Sequence, residues 1–228
     1  MRAIVQWHTQ TGKRMADNRD AYAHLDLPQA SFYLVADGSS RHPGSGALAN
    51  ALLAELIQGI GRLPATALNR ERLPAELLPL IDDSHRALCE THPHAACSYL
   101  VLCLLADTAL SIHEGDCCLG LVEAPDAISW LTPVHCMANW QGNLAHAELA
   151  QMPSRHRLTR CFSSRRVGDP EIRHWPLAVN QRWLLATDGF WAGLSTSQQQ
   201  HFLHEGHLNT PPTDDDISCL SIITSPIP

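Results

Sequence analysis

The sequence holds no run of basic residues longer than Arg165-Arg166, and its 16 Lys and Arg are outnumbered by 23 Asp and Glu, a formal net charge of -7. Neutralising a nucleic-acid backbone needs a basic face, so a nucleic-acid partner is excluded. No stretch approaches the roughly 20 apolar residues of a membrane-spanning helix. The opening MRAIVQWHTQTGKR lacks the uninterrupted apolar segment of a secretory signal. A cytoplasmic protein with no membrane partner is therefore expected. Cys-X-X-Cys is absent despite eight Cys and 14 His, and no Cys/His group has finger or ribbon spacing, so structural zinc is not expected. The adjacent Cys117 and Cys118 would point to opposite faces of a strand, and the cysteines read as reduced thiols. Neither G-X-S-X-G nor a P-loop occurs. Gly44 to Ala49 fits G-X-G-X-X-A, but DGSSRHP separates it from the preceding strand, which a dinucleotide site does not tolerate.

With 45% of 228 residues hydrophobic, one sizeable core can form, and no repeat or low-complexity segment interrupts it. A single domain over 1–228 is expected. Residues 31–36 (SFYLVA) read as a buried strand ending at Asp37-Gly38. Residues 46–60 place Leu48, Leu52, Leu53, Leu56 and Ile60 at helical spacing, and 74–89 do the same with Leu77, Leu78, Ile81 and Leu88. Strands are expected at 98–106, 109–114, 119–122 and 127–131, as an antiparallel meander. An irregular excursion follows over 134–169, with a short helical piece. Strands return at 172–177, 182–186 and 217–224, with a helix or two between 190 and 204.

The aspartates carry the chemistry. Asp37 ends FYLVAD, Asp116 follows SIHEG, Asp188 ends RWLLATD, and Asp215 opens DDISCLSII. Strands lying side by side could converge these carboxylates on one pocket, as hard divalent cations such as Mg²⁺ and Mn²⁺ require. The alternative is equally physical: Asp-Gly after a strand makes a hairpin turn, and Asp214-Asp215-Asp216 makes a solvated loop.

In order, NRDAY, FYLVADGSS with a following helix, ACSYLVLCLLAD, HEGDCCLGLV, WLTPVHC, RLTRCF, WLLATDGFWAGLS and DDISCLSII resemble the successive motifs of the PPM family, the type 2C metal-dependent protein phosphatases, over nearly the whole chain. The resemblance implies an α+β fold, a four-layer αββα sandwich of two antiparallel sheets flanked by helical pairs. It implies hydrolysis of phosphoserine and phosphothreonine by water activated at two Mn²⁺ or Mg²⁺ ions. By the same resemblance Asp37 bridges both ions, Gly38 offers its carbonyl, and Asp188 and Asp215 complete the shell of one ion. Asp20 lies close to the metal waters, and Asp116 belongs to a third, weaker ion. Asp37, Asp188 and Asp20 are the implied catalytic carboxylates. His135 matches a structural His.

Two departures bear on activity. Arg19 stands where the family usually places an acidic ligand, and Met15 stands at the phosphate-binding Arg, with Arg14 beside it. Arg14 or Arg19 is then the candidate phosphate contact. Ser39 replaces a candidate general acid, with His42 nearby, while Ala96-Cys97-Ser98 and Cys117-Cys118 alter packing. A phosphorylated protein substrate, a Ser/Thr kinase as counterpart and a monomer are expected. Two alternatives stay open: a catalytically silent domain that binds a phosphoprotein or kinase, and a small-molecule phosphatase.

Overall fold

Strands buried on both faces need unbroken apolar runs, and helices covering a sheet need one apolar stripe; both patterns decide this architecture. The computed structural model describes residues 2–13, 16–123, 126–210 and 212–225. Along them run β1 (Arg2–Gln10), β2 (Asp20–Leu27), β3 (Ala30–Gly38), α1 (Ser45–Ile60), α2 (Leu73–Thr91), β4 (Ala96–Leu104), β5 (Thr108–Glu114), β6 (Cys118–Glu123) and β7 (Ala127–Trp130). Then come α3 (His146–Leu149), β8 (Phe162–Ser163), β9 (Glu171–Pro176), β10 (Arg182–Ala186), α4 (Asp188–Trp191), α5 (Thr196–Glu205) and β11 (Ile217–Ser225). The first sheet has the order β1-β11-β10-β6-β7 and the second β2-β3-β4-β5-β9, with β8 against β4. Neighbouring strands pair antiparallel throughout.

Alternate residues of one strand serve different layers. In β3, Phe32, Leu34 and Ala36 pack under the helices α1 and α2, whereas Tyr33 and Val35 pack between the sheets. From β10, Trp183 and Leu185 meet them from the first sheet, while Leu184 and Ala186 turn outward to Phe190 and Phe202. Helix, sheet, sheet and helix thus stack in four layers. The outer face of the first sheet is covered by α4, α5 and the irregular segment after β7 rather than by two long helices. Cys117 packs between the sheets and Cys118 on the outer side, as adjacent strand residues must, and all eight thiols are free. No helix among the described residues is long and apolar enough to cross a membrane.

Two features depart from the sequence reading. The strands expected as one meander divide: β4 and β5 pair in the second sheet, β6 and β7 in the first. The chain crosses between sheets at Gly115, whose φ of 103° turns it where a side chain would be strained. The two N-terminal strands were not read from the sequence. Both are half-exposed and polar on one face, which weakens their apolar signal.

Candidate active site

The two-residue period that sends Tyr33 and Val35 between the sheets sends Asp37 there too, at the open end of β3. Asp20 is its register partner on β2, and Ser98 is its partner on β4. No hairpin follows Asp37-Gly38; the chain enters α1 after a short loop. A Cβ on Gly38 would lie 2.6 Å from the backbone carbon of Ser45, so only glycine lets α1 begin this close to the strand. Gly38→Ala is expected to cost about 1–3 kcal/mol through overpacking, which a lowered midpoint in a urea melt will show.

From the first sheet, β10 runs straight into Asp188 at the start of α4, and Asp215 lies just before β11. Asp116 sits on the crossing. Hydroxyls orient the carboxylates: Thr187 Oγ1 donates to Asp20 Oδ2 at 3.0 Å, and Ser98 Oγ donates to Asp116 Oδ1 at 2.6 Å. The backbone N–H groups of Gly12 and Arg19 donate to the two oxygens of buried Asp216, at 3.0 and 2.9 Å. That carboxylate fastens the approach to β2, and with it Asp20.

Crowding of like charges and partial burial both raise a carboxylate's proton affinity. Burial, then repulsion from Asp20, Asp188, Asp116 and Asp215, holds Asp37 well above the ordinary carboxylate range. Asp20 is raised likewise by burial, with hydroxyls of Ser218 and Thr187 opposing. Burial and Asp188 push Asp116 up to about 7 and Asp215 up to about 6. Among the described residues one cation enters the cluster: Arg155 donates from Nη1 to Asp188 Oδ2 at 2.7 Å, its guanidinium 5.8 Å from the Trp191 ring centroid. Trp191 in turn donates Nε1–H to the Asp116 carbonyl at 2.8 Å.

Asp37, Asp116, Asp188 and Asp215 line one cleft of about 400 Å³, and Asp20 adjoins Asp37. Gly38 adjoins the same cleft through Asp37 and Ser39. Arg19 goes elsewhere. Its Nη1 donates to the Ser39 and His42 carbonyls at 3.4 Å each, and its Nε to Asp17 at 3.3 Å, bracing the loop after β3 from outside the cleft. Arg14 and Met15 lie outside the described residues. Sequence reasoning missed Arg155, because nothing in the irregular segment 134–169 signals that a short turn over Pro153–His156 aims at Asp188. It missed Asp216 because spacing alone does not separate the members of the acidic triplet.

His135 supports the crossing. Its Nδ1 accepts the Gly115 N–H at 3.3 Å, its Nε2 meets Glu171 Oε2 at 3.2 Å, and its own N–H donates to the Gly115 carbonyl at 2.9 Å. His113 stacks on it at 4.4 Å and 15°, with Nε2 on the Pro133 carbonyl. His113, His135 and Glu171 are close enough to suggest a metal site. Nearly parallel rings, however, aim their in-plane lone pairs side by side rather than at one point. This trio serves the loop that carries Asp116.

No family model and no curated protein matches the chain. Solved structures do. The serine/threonine phosphatase of S. agalactiae superposes with a TM-score of 0.80 at 16% identity, over 98% of this chain and 100% of that one. The PPM Ser-Thr phosphatase MsPP from Mycobacterium smegmatis, in complex with cacodylate, gives 0.74 at 19%, over 98% of each. The catalytic domain of the serine/threonine protein phosphatase PstP, in complex with two manganese ions, gives 0.73 at 16%, over 98% of this chain and 99% of that one. Likeness over whole chains at such low identity speaks for architecture, and the fold of this chain is that of the PPM-type serine/threonine phosphatases.

Proposed function

We propose that this chain, as one domain over 1–228, is a divalent-metal-dependent protein phosphatase acting on phosphoserine and phosphothreonine. The observation that carries the reading is the meeting of Asp20, Asp37, Asp116, Asp188 and Asp215, from both sheets, at one cleft where their mutual repulsion calls for cations. An all-oxygen donor set of this charge fits Mn²⁺ or Mg²⁺ and not a thiophilic metal. Asp20, Asp37, Asp116, Asp188, Asp215 and the Gly38 carbonyl would hold two such ions, with a third at Asp116. Bound there, they supply Lewis acidity that activates water and offsets phosphate charge.

The chain's own residues do the rest. Thr187 and Ser98 fix the rotamers of Asp20 and Asp116 by donating to one oxygen of each. Arg155, paired with Asp188 and near the Trp191 ring, is in this reading the candidate contact for a substrate phosphate oxygen. Arg19, turned to the Ser39 and His42 carbonyls, does not oppose an ion in the cleft. A phosphorylated protein is the substrate in this reading, and a Ser/Thr kinase its counterpart. Release of phosphate from a phosphothreonine peptide in Mn²⁺, and none in EDTA, is the expected result. Equal rates in both would overturn the proposal. Arg155→Ala is expected to lower kcat/KM by about 10- to 100-fold, the worth of a charged hydrogen bond, with folding and Mn²⁺ binding retained.

A further inference from the structure

Above the aspartates the cleft changes sign. Arg41, Arg157, Arg165 and Arg166 line its mouth, all exposed, and the carboxylates lining it among the described residues are the four aspartates below. In a chain with 23 acidic and 16 basic residues, arginines readily find partners. Arg19, Arg86, Arg155, Arg160, Arg173 and Arg182 each pair with a carboxylate. The four at the mouth pair with none among the described residues.

The backbones that carry three of them are fixed. The Arg157 carbonyl accepts the Met137 N–H at 2.9 Å, and its N–H donates to Ser154 at 3.1 Å. The segment bearing Arg165 and Arg166 is tied at one end by Ser163 pairing with Ala96, and at the other by the Asp169 N–H on Glu114. Arg166 also donates to the Thr159 carbonyl.

We infer that this mouth selects phosphopeptides with acidic residues flanking the phosphorylated side chain, Arg157, Arg165 and Arg166 being the residues that set this preference. The inference rests on the function proposed above and adds the substrate class. Guanidinium groups take carboxylates in a two-pronged geometry that lysine does not offer, and a rim already short of acidic partners gains them from the substrate. Acidic residues of a substrate would be repelled by the aspartates below were the rim absent, so the rim also decides which side chains stay outside and which phosphate goes in.

The test measures binding and hydrolysis on matched peptides. Labelled peptides carrying a non-hydrolysable phosphonate in place of phosphothreonine, flanked by Glu or by Gln, are titrated with the Mn²⁺-loaded protein by fluorescence anisotropy, and kcat/KM is measured in parallel on the phosphothreonine peptides. The Glu peptide is expected to bind about tenfold more tightly, the product of two- to threefold from each of three exposed pairs. In an Arg157→Gln/Arg165→Gln/Arg166→Gln variant, and at 0.5 M salt, the ratio is expected to fall to about one or two. Equal affinity for both peptides in the wild type, or a ratio unchanged in the variant, overturns the inference. Hydrolysis of p-nitrophenyl phosphate by the wild type is followed separately. Its absence would count against the phosphatase reading, while the ratio of peptide affinities still decides the rim.

Discussion

Asp37→Asn and Asp188→Asn are each expected to lower Mn²⁺-dependent phosphate release by about a thousandfold or more, several kcal/mol of lost stabilisation. Each removes one charge from the cluster with little change in shape. The same substitution at Asp37 should leave the metal-free protein at least as stable as the wild type, because it relieves repulsion from four other aspartates crowded at one cleft. Each kcal/mol relieved would raise Tm by about 2–4 °C in a chain of this size. Loss of activity with a raised metal-free Tm is the joint signature of a cation site. Loss of activity with a lowered Tm would make Asp37 a structural residue, and near wild-type turnover at saturating Mn²⁺ would sink the assignment.

The second large effect is metal-induced stabilisation. Mn²⁺ at a hundredfold excess over Kd should contribute about 2.7 kcal/mol, or roughly 5–11 °C in Tm. Its pH dependence follows from the shifted carboxylates. A group whose folded pKa is raised contributes stability at low pH that is lost as pH rises, here through about 6 for Asp215 and about 7 for Asp116. Buried His113 and His146, held down to about 4, act in the opposite sense, losing stability as pH falls from about 6.5. The raw melting curve of the metal-free protein therefore mixes two slopes. The increment due to Mn²⁺ does not: protons compete with the ion for the same oxygens, so it should be larger at pH 7.5 than at pH 5.5. Differential scanning fluorimetry at the two pH values reads it directly, and a larger increment at pH 5.5 would contradict a carboxylate site.

How much of this was legible beforehand follows from where each residue's signal lies. Asp37 and Asp188 each close an apolar run that can only be a buried strand, so their placement at a strand end is written in the neighbouring residues. α1 and α2 announce themselves by leucine spacing. The crossing at Gly115 is different, because the strands on either side of it look alike whether they pair with each other or not. What separates them is one backbone angle and the hydrogen bonds of His135, which no periodicity encodes. Arg155 is harder still, since its position is set by an isolated bridge between Cys136 and Leu158 and by short turns, structure made of tertiary contacts rather than of local preference. Arg19 is the reverse case: its place in the sequence points to the cleft, while its side chain satisfies carbonyls of the neighbouring loop.

The provenance of the carboxylates has a mechanical meaning. Asp20 and Asp37 belong to strands of one sheet, Asp188 and Asp215 lie next to the ends of β10 and β11 of the other, and between the sheets pack side chains such as Tyr33, Leu102, Leu185 and Leu220. In the proposed function, a cation gripped from both sides would be a rivet through two plates. Its hold depends on the plates keeping their spacing and alignment, which the apolar filling sets. Loosening that filling far from the cleft would slacken the grip at its end, and tightening the rivet would stiffen the stack along its length. Metal affinity and the packing between the sheets are thus two gauges on one joint.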